Sequence, residues 1–110
     1  IPVSLYWMTD TPLAADYRIA LHLAQDGRGV VASARDSQPV NGFVPTVAWE
    51  PGKPVWDNRS IALPPDIVPG EYNLWLSVYG EEPLSASGTQ TVEANTLGVL
   101  PITITVNPRN

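Results

Sequence analysis

The chain has 110 residues, no cysteine and a formal net charge of −5. This length suits one domain with a core large enough to need no covalent staples, and the lack of cysteine excludes disulfides, thiolate metal sites and cysteine nucleophiles. Six scattered Lys and Arg against eleven Asp and Glu form no basic stripe, which argues against nucleic acid and anionic lipid as partners.

No apolar stretch approaches the ~20 residues needed to cross a bilayer, so direct membrane insertion is not expected. The chain begins at Ile1 without an initiator Met. That is expected of a domain cut from a larger protein, or of a processed chain. Residues 1–110 are expected to form a single β-sandwich domain. Twelve prolines and eight glycines fall between apolar runs, where they punctuate strands.

The elements follow in chain order as short alternating runs separated by turns, which is an all-β pattern. In the run 3–8, Val3, Leu5 and Trp7 share one face. In 17–25, Tyr17, Ile19, Leu21 and Leu23 alternate with Arg18, Ala20, His22 and Ala24. Asp26-Gly27-Arg28-Gly29 predicts a hairpin turn leading into a strand over 30–35. After a loop over 37–46, residues 47–49 read as a brief strand and 50–54 as a turn.

The run 55–63 alternates imperfectly, because Ile61 and Leu63 share parity with Asp57 and Arg59. A bulge or an edge position would account for that. In 71–79, Tyr72, Leu74, Leu76 and Val78 face one way, and Asn73, Trp75, Ser77 and Tyr79 the other. The segment 80–95 reads as loop with a short edge strand over 89–93. A last strand over 99–106 points Ile102, Ile104 and Val106 inward. The sum is an antiparallel β-sandwich of about seven strands, of immunoglobulin or fibronectin III type. Pro69-Gly70-Glu71-Tyr72 places a tyrosine where such sandwiches form a tyrosine corner, its hydroxyl bonding back to the upstream backbone.

A wider set of residues carries a resemblance. It runs through Leu5-Tyr6-Trp7, Asp16-Tyr17, His22-Leu23, Asp26-Gly27, Pro45-Thr46 and Trp49. It continues through Pro51-Gly52, Asp57, Leu63-Pro64, Pro69-Gly70-Glu71-Tyr72, Val78-Tyr79 and Leu97-Gly98. Over nearly its whole length the chain resembles the C-terminal β-sandwich domain of some bacterial polytopic membrane proteins. Those proteins are similar to dolichyl-phosphate-mannose-type glycosyltransferases. The resemblance implies an extracytoplasmic domain on the outer face of the cytoplasmic membrane, with the parent's catalytic residues elsewhere. It carries over no functional residue. Trp75 departs from the pattern, since that position is more often polar or basic.

Candidate sites are few. His22, the one histidine, has no GxSxG elbow or metal-spaced partner near it and reads as structural. Glu81-Glu82 read as solvated turn charge, and nothing sets Asp57 and Glu71 opposite each other as a glycosidase pair requires. Asp57 is expected to pair with Arg59 or Arg18. Asp10, Asp16, Asp26, Asp36 and Asp66 could supply calcium ligands, but they lack EF-hand spacing and fit ordinary turns, so no cofactor is expected. Asn58-Arg59-Ser60 matches the glycosylation acceptor pattern.

The four tryptophans are the most informative set. Trp7 is expected in the core and Trp49 at one end of the sandwich. Trp75 and Tyr79 point away from the core, and Trp75 is either covered by the loop 80–95 or part of a contact surface. The expected function is that of a non-catalytic accessory or interaction domain of a larger membrane-associated protein. It would contact that parent, an envelope component or a glycan. The alternative is a carbohydrate-binding module whose ligand-binding residues are Trp75, Tyr79 and Trp56.

Overall fold

The computed structural model describes residues 1–42, 44–81, 84–92 and 96–108. The alternating runs become seven strands: β1 (Pro2–Trp7), β2 (Arg18–Gln25), β3 (Gly29–Ser33), β4 (Val55–Ser60), β5 (Gly70–Tyr79), β6 (Gln90–Val92) and β7 (Leu97–Val106). Every strand pairing is antiparallel. β1 and β4 form a two-stranded ribbon, and the rest form a five-stranded sheet in the order β3-β2-β5-β7-β6. The result is an antiparallel β-sandwich.

Leu21 and Leu23 of β2 and Tyr72 and Leu74 of β5 bury one face of the large sheet. Ile1 and Val3 beside and within β1, with Ile61 just after β4, cover that face. Because side chains alternate along a strand, the outer faces carry the remaining residues. On the ribbon these are Ser4, Tyr6, Trp56 and Asn58. On the large sheet they include His22, Trp75 and Tyr79. In the β2–β3 hairpin, Gly27 and Gly29 adopt φ of 83° and 76°, a region open to glycine without steric cost.

Two expectations fail for local reasons. Residues 47–49 do not form a strand; Thr46–Ala48 is a 3-10 turn. The Thr46 hydroxyl accepts the Tyr17 N–H at 3.0 Å and donates to the Ala15 carbonyl at 2.6 Å, which pins the segment across the chain. Ile102 is 53% exposed. The β5–β7 register slips between Asn73 and Trp75, beside Pro101, so this part of β7 leaves the core while Ile104 and Val106 stay packed. The edge strand expected over 89–93 is present as β6, but Glu93 lies outside the described residues, as does Asn95 at the end of the segment 80–95.

The irregular parity of 55–63 has a different origin. Asp57 and Arg59 both point inward and both are buried. Asp57 Oδ2 accepts from Arg59 Nε at 3.0 Å and from the Trp7 indole N–H at 3.1 Å, and Oδ1 accepts from the Val40 N–H at 3.0 Å. The Arg59 guanidinium donates to the carbonyls of Ile19 and Ser37, both at 3.1 Å, and more weakly to those of Arg35 and Gln38. The pair therefore ties β4 to β1, to the 3-10 turn Pro39–Gly42, to β2 and to the segment that follows β3. Val40 is held at φ 54°, which costs an L residue about 1–2 kcal/mol, and its N–H is the one Asp57 accepts.

The tyrosine corner is present, with the Tyr72 hydroxyl donating to the Val68 carbonyl. Replacing it with Phe should lower stability by about 1 kcal/mol, since the ring stays packed and one hydrogen bond is lost. Arg59→Met should cost far more, about 3–5 kcal/mol, because it leaves a buried carboxylate without its cation. Urea unfolding of both variants checks the order.

Candidate functional site

The strand alternation that builds the core also sorts the tryptophans. Trp49 is buried, with its indole N–H donating to the Val44 carbonyl at 3.1 Å. Trp7 is half-buried beside it, ring centroids 6.1 Å apart. Both indoles donate to groups within the fold, though Trp7, expected in the core, is only half-buried.

Trp56 is on the outer face of β4, directly across from Tyr6 of β1. Their rings stack at 5.3 Å with planes 21° apart, yet Trp56 remains 58% exposed and Tyr6 66%. One step along the same face, the Ser4 hydroxyl donates to Asn58 Oδ1 at 2.7 Å. Beyond Tyr6, Met8 is 60% exposed. The outer face of the ribbon thus offers an aromatic pair and a polar pair in one row, while Met8, just past β1, lines the cleft between the layers. Asn58, first of the glycosylation acceptor triplet, is committed to this row through Ser4.

Trp75 is half-buried on the outer face of the large sheet, flanked across the ladders by His22 and Val99. The described loop residues 84–87 and 89 are seated elsewhere. Leu84, Ser85, Ala86, Ser87 and Thr89 line a cleft together with Trp7 and the inward-facing Leu76 and Val78, so they lie against the opposite face. A Cβ built on Gly98 would come within 3.3 Å of the Thr89 methyl and 3.5 Å of Ala86, which shows how closely this loop is seated. Trp75, Tyr79 and Trp56 therefore do not form one platform. The first two belong to one outer face and Trp56 to the other. Tyr6, the exposed neighbour of Trp56, was not singled out from the sequence; its parity opposite Val3, Leu5 and Trp7 was the available signal.

His22 Nδ1 lies 2.6 Å from the Ser33 hydroxyl, its cross-strand partner. Among the described residues Ser33 is the one hydrogen-bond partner of this imidazole. A nucleophile and base of this kind need a third group to orient the base. Asp57 is spent inside the sandwich, Glu71 is exposed on β5, and Glu81 is exposed after β5. Glu82 lies outside the described residues. Asp16 accepts the Val47 N–H and Asp36 accepts from Tyr79, so two of the loop aspartates have internal partners. Among the described residues no three His, Asp or Glu side chains converge to hold a metal ion.

No family model, no curated protein and no solved structure matches this chain.

The Tyr79 hydroxyl donates to Asp36 Oδ2 at 2.7 Å, and the Arg18 guanidinium caps the Asp36 carbonyl at 3.1 Å. The hydrogen bond to the carboxylate raises the Tyr79 pKa above the ordinary tyrosine value, with burial and the Asp36 charge adding to it and Arg18 opposing. A raised folded-state pKa stabilises the fold below the unfolded value, and that contribution is lost as pH rises through the folded one. The stability gap between the parent and Tyr79→Phe should therefore be constant around neutrality and shrink at strongly alkaline pH. Denaturant unfolding across that range measures it.

Proposed function

We propose that this sandwich is a non-catalytic accessory module of a larger membrane-associated protein, immunoglobulin- or fibronectin III-like in type and held on the outer side of the membrane. It contacts glycan through the outer face of the β1–β4 ribbon. The observation that carries this reading is the stacked Tyr6–Trp56 pair, which keeps most of its surface in water.

Burying large apolar rings is worth about 1.5–3 kcal/mol each, so a pair left out needs a partner. Sugar rings offer one, because their axial C–H faces lie flat on an aromatic ring while their hydroxyls seek polar groups at its edge. Ser4 and Asn58 stand beside the pair to meet such hydroxyls. The non-catalytic part of the reading is supported by where the charged chemistry goes. Asp57 and Arg59, the buried ionic groups, are consumed by hydrogen bonds that hold the sheets together. The tyrosine at the start of β5 supports the immunoglobulin-like type, and the resemblance to the membrane-protein domains supports the location.

An NMR titration with a panel of soluble oligosaccharides, following the indole N–H signals, tests the glycan claim. The expected result is a saturable shift at Trp56 and not at Trp75. Trp56→Ala and Tyr6→Ala should each weaken binding roughly tenfold, the equivalent of about 1.4 kcal/mol of ring contact, with the fold intact. A shift confined to Trp75 would move the site to the large sheet. No shift at any indole would reject glycan recognition.

A further inference from the structure

The core closes at one end and stays open at the other. Along β5 the inward-facing Tyr72 and Leu74 are each 1% exposed, whereas Leu76 and Val78, on the same face, are only half-buried. Trp7 of β1 and Leu100 of β7 are half-buried as well. All four line one cleft between the ribbon and the large sheet. With the loop residues 84–87 and 89 already seated along it, the cleft still holds about 450 Å³. Native interiors pack with few voids larger than a water molecule, and this volume falls in the range of small-molecule pockets.

The lining defines what the cleft can take. Among the described residues that line it, none is charged. Trp7, Trp49 and Thr46 each spend their polar group inside the fold. The Trp7 indole N–H goes to Asp57 and the Trp49 indole N–H to the Val44 carbonyl. The Thr46 hydroxyl bridges the Tyr17 N–H and the Ala15 carbonyl. A polar ligand would lose hydration there without recovering hydrogen bonds from these groups. An apolar one gains, because it removes its own surface and that of Leu76, Val78 and Leu100 from water together. The lining is also graded. Ile19 and Trp49 are buried, whereas Met8 is 60% and Leu84 44% exposed, beside the exposed hydroxyls of Ser85 and Ser87.

We infer that the cleft is a binding site for one hydrocarbon chain, the tail of an amphiphile whose polar head stays at the rim. Such a chain reaches from the buried Trp49 side to Met8 and Leu84, with its head in water near Ser85 and Ser87. Its methylenes replace the missing packing around Leu76, Val78 and Leu100. The site is lined by Trp7 and Trp49, not by Trp56, so it is separate from the outer ribbon face and does not depend on glycan binding.

The test titrates 1-butanol, 1-hexanol, 1-octanol and octanoate into the protein and follows it by NMR. The expected result is a saturable shift at the Trp7 and Trp49 indole N–H signals and the Leu76, Val78 and Leu100 methyls, with Trp56 and Trp75 unmoved. Affinity should rise roughly threefold or more per added methylene along the alcohols. Octanoate should bind within about tenfold of octanol, since its charge stays in water. Val78→Phe puts a ring into the cleft and should weaken octanol binding at least roughly tenfold without lowering the urea midpoint. Leu100→Phe does the same from β7 and serves if the first variant does not fold. No saturable shift up to the solubility of octanol, or an affinity independent of chain length, would overturn the proposal. Shifts at Trp56 or Trp75 in place of Trp7 and Trp49 would also overturn it, as would parental binding by the folded Phe variants. Exclusion of octanoate would overturn the placement of the head.

Discussion

The Asp57–Arg59 pair is the interaction on which the rest of this sandwich depends. A two-stranded ribbon is at best marginal on its own and must be anchored to something larger. Here the anchor is ionic as well as apolar. One carboxylate gathers the β1 indole, the Val40 N–H and the guanidinium, and the guanidinium reaches across to carbonyls of β2 and of the segment after β3. Buried charges are costly unless all their hydrogen-bonding capacity is used, and among the described residues no buried side-chain nitrogen or oxygen is left without a partner. The pair is thereby specific to one docking position of the ribbon, which a purely apolar seam would not enforce.

That position determines what the domain shows to solvent. With Asp57 and Arg59 turned inward, the alternating Trp56 and Asn58 must turn outward, and their register partners Tyr6 and Ser4 follow. The aromatic row on the ribbon is in this sense the reverse side of the buried network. The same docking leaves an apolar cleft at the Trp7 end, which the loop residues 84–87 and 89 help to line. One arrangement of a short ribbon accounts for the exposed rings and the apolar cleft.

Much of the architecture was legible in the sequence because it rests on period-two alternation and on turn residues. β2, β5 and the Asp26-Gly27 hairpin follow directly from that pattern, and the corner at Tyr72 follows from its place after a proline-rich crossover. The segment at Thr46 was misread because one hydroxyl, bonded to residues about thirty positions away, overrides a local β pattern. Ile102 was misread because the β5–β7 register shift is a property of two strands together. The pairing of Asp57 with Arg59 was one of the two the sequence offered, but parity cannot reveal that the pair is buried and reaches an indole, the Val40 N–H and carbonyls of distant segments. The same limit applies to the tryptophans. Outward parity identified Trp75, and Trp56 was grouped with it, but sheet membership places them on opposite faces, and the rings of Tyr6 and Trp56 meet only through a long-range pairing.

If the buried pair welds ribbon and sheet into one body, the two must open together. Native-state hydrogen exchange measures this directly. Val3, Leu5 and Trp7 report on the ribbon, and Leu21, Leu23 and Leu74 on the large sheet. The account predicts one opening free energy and one denaturant dependence for both sets, equal to those of global unfolding. Ribbon amides that exchange through a separate opening of lower free energy, while the large sheet stays protected, would contradict it.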